Sequence, residues 1–342
     1  IFASTLGAIV VALLLSGLLI AAIGGDPIAT FDHVLRSSFG DWYVISDTLV
    51  KATPLILTGL ACALAFRMRL WNIGAEGQLM LGAWGASAVV LSGILPAGTP
   101  AWLVIALMLV GGVVAGAVWG GIAGVLKARL GVNEIITTLM LNYVALFWVR
   151  FWVFGPWSDG GFQMSAQFPR ELWLPRLTDF ASLVPDFGGM TVHLGFLVAL
   201  IAAVLVWYLL SRTRTGYEIR VAGDNPRAAR YAGMNLRRLT VVVMLISGGL
   251  AGLAGMVEIG GVVHRLQDGF SPGYGFTGIV IAYLAKFNPF GVVIAGIAFG
   301  ALILAGREIQ PAGIPAMIQG IVLMCVIAAD ALSRYTIRVR RS

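Results

Sequence analysis

Residues 101–126, AWLVIALMLVGGVVAGAVWGGIAGVL, form an apolar run without one charged side chain. About 20 consecutive apolar residues are enough for a helix to cross the hydrocarbon core of a bilayer. Glycine recurs at every fourth position, at Gly112, Gly116, Gly120 and Gly124, and this spacing places the four on one helix face. Small residues on one face let membrane helices approach closely. The run therefore predicts a transmembrane helix that packs tightly against a neighbour.

The whole chain has the same apolar character. Of its 342 residues, 59% are apolar and 11% are charged, and 44 are glycine, whereas soluble domains average about 25% charged residues. The mean hydropathy is +0.91. These values exclude a soluble enzyme and a secreted disulfide scaffold. Cys62 and Cys325 lie in apolar runs, so we expect buried free thiols rather than a disulfide or a metal site.

The apolar runs predict an all-α, polytopic membrane protein with one transmembrane domain over residues 1–342. The ten candidate spans are 5–23, 48–66, 77–95, 101–126, 135–154, 193–210, 239–257, 276–285, 290–305 and 314–332. The eighth and ninth are short, so they are either two helices or a re-entrant pair, and the count is eight to ten. Because the chain begins at Ile1 rather than Met, we expect some sequence to precede it. We also expect the first run to be a retained helix rather than a signal peptide.

The charges are distributed unevenly between the two sides that these spans define. With the N-terminus inside, the inner segments collect 16 of the 23 basic residues, and the outer segments hold 11 of the 16 acidic ones. The inner set includes Arg334, Arg338, Arg340 and Arg341 near the C-terminus. Cytoplasmic loops of membrane proteins carry an excess of Lys and Arg. The net charge of +7 therefore indicates topology, with both termini cytoplasmic, and not nucleic-acid binding.

The same orientation places the long segment 155–192 outside. It is rich in Pro, Trp and Phe, and we expect it to pack as an ordered cap. The three histidines, His33, His193 and His264, fall on this side, and we expect them to be scattered rather than clustered. No catalytic or metal-binding role is predicted for them.

Several motifs of enzymes are missing from the sequence. No lysine precedes Ser or Thr, so the phosphate-binding G-x-x-x-x-G-K-[ST] loop is absent, and the chain cannot itself be an ATPase of that class. The motifs H-E-x-x-H, C-x-x-C and G-x-S-x-G are also absent. We therefore predict no catalytic, metal-binding or cofactor-binding residues.

The second long segment, 211–238, is predicted to be cytoplasmic and contains a helix signal. Asn225 is suited to an N-cap, Pro226 to the first helical position, and Gly233 to a C-terminal stop. A short helix with defined ends between two spans is more typical of a docking element than of a linker.

Two groups of polar residues lie in or beside the spans. Residues 71–78, WNIGAEGQ, combine polar side chains with glycines, and they form either a cytoplasmic turn or part of a polar route. Asn133, Thr137, Thr138 and Asn142 are spaced to share roughly one helix face, where they either bond between helices or line a pathway. The candidate pathway residues are Asn72, Glu76, Gln78, Asn133, Thr137 and Asn142.

Over about residues 52–332 the chain resembles the inner-membrane permease subunits of ABC importers for nucleosides and simple sugars, in the branched-chain amino acid, ribose and nucleoside permease family. Four stretches carry the resemblance: 71–78, 131–143 with GVNEI and LNY, 216–234 (GYEIRVAGDNPRAARYAGM) and 247–255 (SGGLAGLAG). The resemblance implies that 216–234 is the segment that couples the permease to its ATPase.

The candidate coupling residues are Gly223, Asp224, Asn225, Pro226, Arg227, Ala228, Ala229, Arg230 and Gly233. We expect Ala228 and Ala229 to leave one helix face small for close docking. Gly223 and Gly233 are expected to supply backbone freedom at the two ends. Arg227 and Arg230 either pair with acidic residues of the ATPase or are solvated.

The resemblance also implies the partners. They are cytoplasmic ATP-binding subunits, a second permease that is identical or homologous, an extracytoplasmic substrate-binding protein and the surrounding lipid of the cell membrane, but no nucleic acid. ATP is used by the partner, so the chain needs no cofactor of its own. A nucleoside is the first expected cargo and a simple sugar the second.

The alternative is an ion-coupled secondary transporter of a small polar solute, which needs a carboxylate or His deep in the membrane. The sequence places Glu134 and Glu258 only near the ends of spans.

Overall fold

The computed structural model describes residues 2–96, 98–306 and 313–333, and this part of the chain is built from α-helices and connecting turns. The helices are α1 (Phe2–Ala22), α2 (Pro27–Phe39), α3 (Trp42–Arg67), α4 (Ala75–Leu91), α5 (Ala101–Val125), α6 (Glu134–Phe154), α7 (Leu194–Arg212), α8 (Arg214–Asp224), α9 (Pro226–Tyr231), α10 (Leu236–Glu258), α11 (Tyr274–Leu284), α12 (Pro289–Ala305) and α13 (Ile314–Ser333). The all-α prediction is confirmed. Arg334, Arg338, Arg340 and Arg341, which contribute to the predicted orientation, lie outside the described residues.

Five of the described helices are long and apolar enough to cross a membrane: α3, α5, α6, α7 and α10, where α5 and α10 are extended by π-helical turns. A sixth span results if α1 and α2, bent by 118° at their junction, count together. Helices α11, α12 and α13 are apolar but shorter. The chain is therefore a multi-pass membrane protein, while the number of ten spans stays a prediction.

Helix α3 forms the centre of the bundle. It begins where the Asp41 carboxylate accepts the N–H groups of Tyr43 and Val44 at 2.8 and 3.0 Å, and most of its side chains are buried. Helices α7, α10, α11 and α12 pack around it. A Cβ on Gly300 of α12 would lie 2.8 Å from the backbone nitrogen of Ala52, so this contact requires glycine.

Helices α4, α5 and α10 form a second tightly packed group. A Cβ on Gly116 of α5 would strike the carbonyl oxygen of Gly248 on α10, and a Cβ on Gly252 would strike that of Gly112. The glycines predicted to form a packing stripe thus bring two backbones into direct contact, which confirms the prediction for this part of the fold.

Two short apolar segments near the C-terminus form separate helices joined by a tight turn. Helix α11 has 11 residues, about 16 Å of length, which is roughly half of a bilayer's hydrocarbon core. Lys286 and Phe287 adopt left-handed φ values of 49° and 61° in the turn. Asn288 then begins α12 by accepting the N–H of Phe290 at 2.9 Å. The eighth and ninth segments are thus two separate helices, and whether they form a re-entrant pair stays open.

Helix α2 lies between two predicted spans and was not predicted. The Asp26 carboxylate accepts the N–H groups of Ile28 and Ala29 at 2.8 and 3.1 Å, and Pro27 occupies the first helical position. This is the same local chemistry as at Asn225 and Pro226. Both cysteines are free as expected, Cys62 buried and Cys325 partly buried.

Residues 155–192, called the cap below, are ordered as predicted. Their backbone bonds to the segment that follows α10: Phe168 donates to the carbonyl of His264 at 2.8 Å, and Leu174 donates to that of Gly260 at 2.9 Å. The side chains of Phe168 and Leu174 are buried. Helices α6 and α7 flank the cap, so α8 and α9, which follow α7, lie at the opposite end of the bundle. These are the cap end and the coupling end.

Candidate functional site

One group of buried polar side chains surrounds the start of α4. Asn72 is 0% exposed. Its Nδ2 donates to Gln78 Oε1 and to Ser247 Oγ, both at 2.9 Å, and its Oδ1 accepts from Gln78 Nε2 at 2.9 Å. Ser247 Oγ donates in turn to the carbonyl of Ala61 on α3 at 2.7 Å. These bonds tie α3, α4 and α10 together, with the link to α3 made through the Ala61 carbonyl.

Helix α6 joins the same group through Asn142. Its Oδ1 accepts the N–H of Gly77 at 2.9 Å, and its Nδ2 donates to the carbonyl of Ile73 at 2.9 Å. A buried backbone polar group without a partner is costly, and Asn142 satisfies two of them, one just before α4 and one in its first turn. The segment 71–78 is therefore packed inside the protein rather than forming a solvated turn.

Glu76 extends this group toward α11. Its side chain is 4% exposed, and Oε2 accepts the N–H of Gly275 at 2.7 Å. A Cβ on Gly275 would strike the backbone nitrogen of Glu76, so the first turns of α4 and α11 are in direct backbone contact. We call Asn72, Glu76, Gln78, Asn142 and Ser247 the polar network.

Two of the predicted pathway residues lie elsewhere. Asn133 is exposed and caps α6, its Oδ1 accepting the N–H of Ile135 at 2.9 Å. Thr137 is partly exposed, and its Oγ1 donates to the carbonyl of Asn133 at 2.9 Å. The prediction that Asn133 shares one helix face with Thr138 and Asn142 is wrong. Asn133 has an extended backbone and precedes the helix, so helical spacing does not apply to it.

A second polar region, which the sequence analysis missed, surrounds a cavity of about 480 Å³ between α3, the end of α10, α11 and α13. Lys51 Nζ lies 3.8 Å from Glu258 Oε1, and Tyr274 Oη donates to the same oxygen at 3.4 Å. In the same lining, Thr277 Oγ1 donates to Gln319 Oε1 at 3.0 Å. The cavity thus has one charged and one neutral polar group of side chains.

Glu258 is the last α-helical residue of α10, near the end of the span as expected, but it is buried. Its side chain is 2% exposed, because the chain continues beyond it as a π-helical turn through Ile259–Val263. The missing signal was Lys51, a single charged residue within the apolar run 48–66. A lone ionisable residue inside a span usually faces the bundle interior and has a partner.

The cap end holds a third polar group. The His264 ring stacks on Trp173 with centroids 3.5 Å apart, and its Nε2 accepts from Arg176 Nη2 at 2.7 Å. Burial lowers the pKa of His264 and of His193 to about 4, and the nearby Arg176 charge adds to the effect. The expectation of scattered histidines is therefore wrong for these two, while His33 is a residue of α2. No group of metal-ligating side chains is found in the part of the chain that the structure describes.

At the coupling end the local prediction for α9 is confirmed. The Asn225 side chain accepts the N–H groups of Arg227 and Ala228 at 3.0 and 3.1 Å, Pro226 is the first helical residue, and Gly233 ends the turn with φ of 76°. Arg227, Arg230 and Tyr231 point outward, and Tyr231 is 94% exposed.

Two expectations for this segment are corrected. Ala229 is fully buried whereas Ala228 is exposed, since successive helical positions point about 100° apart, so the two do not form one docking face. Gly223 lies inside α8, and a Cβ there would strike the carbonyl oxygen of Arg67. Its role is close packing of α8 on the end of α3 rather than backbone freedom. Asp224 beside it lies 3.8 Å from Arg67 Nη1.

Comparison of the sequence with known proteins shows the family of this chain. Residues 44–327 match the family described as branched-chain amino acid transport system / permease component. The chain is 37% identical to the glucose ABC transporter permease protein TsgB13 of Haloferax volcanii, over 97% of this chain and 88% of that protein. It is 37% identical to the guanosine ABC transporter permease protein NupP of Bacillus subtilis, over 95% and 91%.

A third relative, the nucleoside ABC transporter permease protein NupB of Lactococcus lactis, is 33% identical over 94% of this chain and 88% of its own length. The matched regions include the polar network, the cavity and the coupling end. Permeases of this kind are transport components rather than enzymes. The chain therefore belongs to the branched-chain amino acid transport system permease component family and is a multi-pass membrane permease subunit of an ABC transporter.

Proposed function

We propose that this permease is part of an importer that moves a nucleoside, or second a simple sugar, into the cell. The names of the relatives support this range, because two refer to guanosine or nucleosides and one to glucose. In this proposal a binding protein delivers cargo at the cap end, and ATP-binding subunits act at the coupling end. The chain pairs with a second permease and needs no cofactor of its own, since its partner uses the ATP.

The orientation in this proposal places the coupling end and both termini in the cytoplasm. The described basic residues at that end include Arg67, Arg129, Arg212 and Arg238, whereas the cap carries Asp159, Glu171, Asp179 and Asp186. This asymmetry supports the orientation through the positive-inside tendency. A single cysteine at Leu183 of the cap should react with an impermeant reagent on intact cells, and one at Ala228 should not. The reverse result would overturn the orientation.

The observation that carries the coupling proposal is the contact of α8 with the end of α3. Gly223 packs against the backbone of Arg67, and Asp224 approaches its side chain. Helix α3 is 26 residues long, about 39 Å, and it also carries Lys51. A displacement of α8 and α9 by an ATPase would therefore reach the cavity through one buried helix.

In the same proposal α9 enters a groove of the ATPase with Tyr231 as its main contact. Large aromatic side chains often contribute most of the binding energy of an interface. Tyr231→Ala should weaken association with the ATPase by tenfold or more and reduce uptake in proportion. Tyr217→Ala is the matched control, because Tyr217 is 54% exposed on the neighbouring α8.

The measurement is co-purification of each variant with its ATPase, together with uptake. Both variants should fold, since both side chains are exposed. Wild-type association of Tyr231→Ala, or equal losses in the two variants, would overturn the coupling role of α9.

We propose that six polar residues form part of the wall of the translocation route. They are Asn72, Glu76, Gln78, Asn133, Thr137 and Asn142. The hydrogen bonds of the network favour a role in holding helices α3, α4, α6 and α10 in place. Direct contact with cargo is better supported for the cavity between α3, α10, α11 and α13.

A further inference from the structure

We propose that the cavity between α3, α10, α11 and α13 is the site where this permease holds its cargo during translocation, and that it accepts uncharged, hydroxyl-rich solutes. The inference rests on the proposed function for the identity of the cargo. It adds a location and a rule about charge, and both can be tested separately from the substrate.

The size and chemistry of the cavity fit a small polar solute. Its volume of about 480 Å³ lies within the range of roughly 300–1,000 Å³ typical of ligand sites. Its polar lining residues are Lys51, Glu258, Gln267, Tyr274, Thr277 and Gln319. Amide, phenol and hydroxyl groups both donate and accept hydrogen bonds, as sugar hydroxyls do, and Phe270 adds an apolar face.

The two ionised side chains among the described lining residues of the cavity have opposite charges. They are Lys51 and Glu258, which lie 3.8 Å apart and are 7% and 2% exposed. A charged cargo would meet no net opposite charge, and burying an uncompensated charge is costly. A neutral cargo avoids this cost.

A buried ion pair such as that of Lys51 with Glu258 is not needed to hold helices together. Well-packed apolar residues commonly stabilise a buried position as well as an ion pair does, and ionisable residues within membrane helices commonly mark transport routes. In this bundle α3 and α10 are otherwise packed by apolar and small residues. A role in cargo recognition explains the presence of a pair of opposite charges in this position.

Two other cavities of the described chain lack this chemistry. One, of about 370 Å³, lies between α7 and α10, and the other, of about 500 Å³, lies between α1 and α13. Both are lined by apolar side chains, where a hydroxyl-rich solute would lose its hydrogen bonds to water without replacement. Volume alone therefore does not distinguish the three cavities, whereas polar lining does.

The test uses thiol labelling in the complete transporter, with permeases, ATPase and binding protein in proteoliposomes. Cys62 and Cys325 are first replaced by alanine, and one new cysteine is introduced. Thr277→Cys reports on the cavity, and Leu183→Cys in the cap, where Leu183 is 78% exposed, is the matched control. Anionic and cationic methanethiosulfonate reagents of similar size are applied during ATP hydrolysis.

The charge arm requires no cargo. The ratio of anionic to cationic labelling rates at Thr277→Cys, normalised to that at Leu183→Cys, should be near one. Adding Glu258→Gln should shift the ratio toward the anionic reagent by about tenfold, and adding Lys51→Gln should shift it toward the cationic reagent. An ion pair whose charges do not reach the space beside Thr277 would leave the ratio unchanged. An unchanged ratio, or no labelling of Thr277→Cys during turnover, would overturn the proposal.

The cargo arm adds binding protein loaded with guanosine or glucose. Cargo that is transported should slow labelling of Thr277→Cys at least fivefold and leave Leu183→Cys unaffected. Transport with unprotected labelling would overturn the cavity as the cargo site. If the parent transports neither solute while the charge arm gives the expected shifts, the substrate assignment fails and the neutral cavity stands.

Discussion

The polar network and the cavity are both groups of buried polar side chains between the same central helices, yet they differ in what those side chains bond to. In the network, Asn72, Gln78 and Ser247 bond to one another and to backbone groups at 2.7–2.9 Å. In the cavity, the side chains surround about 480 Å³ of open volume. Polar residues at membrane depth thus serve two purposes, and the hydrogen-bond partners of each residue distinguish holding helices together from contacting cargo.

The two regions meet at the start of α11. Tyr274 lines the cavity, and its neighbour Gly275 donates its N–H to Glu76 of the network. The carbonyl of Tyr274 also accepts from Thr58 Oγ1 at 3.0 Å. A change in the position of α4 therefore acts on the cavity wall through this junction.

The largest expected effect is at that junction. Gly275→Ala should prevent correct folding, because the added Cβ would strike the backbone of Glu76, and overpacking against backbone costs about 1–3 kcal/mol or more. We expect a strongly reduced yield of monodisperse protein in detergent, measured by size-exclusion chromatography of a fluorescent fusion.

Gly320→Ala is the matched control for this change. Gly320 is also a helical glycine, but a Cβ there would meet nothing within 4 Å. Alanine favours helix over glycine by up to about 1 kcal/mol, so its yield should equal that of the parent. A well-folded Gly275→Ala variant would contradict the backbone contact between α4 and α11.

A smaller but clear loss of stability is expected within the network. Asn72→Leu removes the bonds to Gln78 and Ser247 and leaves their polar groups buried, at a cost of roughly 2–4 kcal/mol. The unfolding midpoint in detergent should fall by several degrees. Asn133→Leu provides the comparison, since Asn133 is an exposed cap whose loss costs about 1 kcal/mol. Equal shifts for the two variants would mean that the network does not carry the stability we assign to it.

The smallest effect is expected at the cap, outside the network and the cavity. His264 is neutral in the folded protein with a pKa of about 4, against about 6.5 when unfolded. Arg176 and His193 are the charged and titratable groups near it, and Lys51 lies near His193. The unfolded chain therefore binds protons first as the pH falls. The stability of the cap is complete above about pH 6.5 and declines as the pH drops toward 4.

The check is the unfolding midpoint between pH 7.5 and 4.5 for the parent and for His264→Gln. Glutamine keeps an acceptor for Arg176 but does not titrate, so its profile should be flatter. Identical pH profiles would remove His264 as a source of acid sensitivity.

Local sequence chemistry predicted the parts of this fold that depend on local rules. The apolar runs, the close packing of the glycine face of α5 and the caps of α9 follow from spacing and residue type. Helix α2 was within reach as well, because Asp26-Pro27 repeats the signal of Asn225-Pro226. Helix α2 was missed because it is too polar to be found in a search for apolar runs.

The cavity depends on tertiary contacts and could be predicted only in part. Lys51 was overlooked because the mean hydropathy of its span is high. A single lysine within an apolar run was nevertheless a usable signal of a functional position. The position of Glu258 near the end of α10 was predictable, whereas its burial follows from the π-helical turn after it, which has no distinct sequence pattern. The burial of Ala229 but not Ala228, and the meeting of His193 with His264, depend on how helices from distant parts of the chain pack.

The central claim is that the network holds the helices while the cavity contacts the cargo. The most direct test compares Asn72→Leu with Thr277→Val, measuring for each the unfolding midpoint and the initial uptake rate per folded molecule in the reconstituted transporter. The account predicts that Asn72→Leu lowers the midpoint by several degrees with near-parental uptake per folded molecule. Thr277→Val should leave the midpoint within about 2 °C, since a single such bond in a membrane protein averages about 0.6 kcal/mol, and should reduce uptake severalfold. A stable Asn72→Leu variant that fails to transport, together with a fully active Thr277→Val variant, would contradict it.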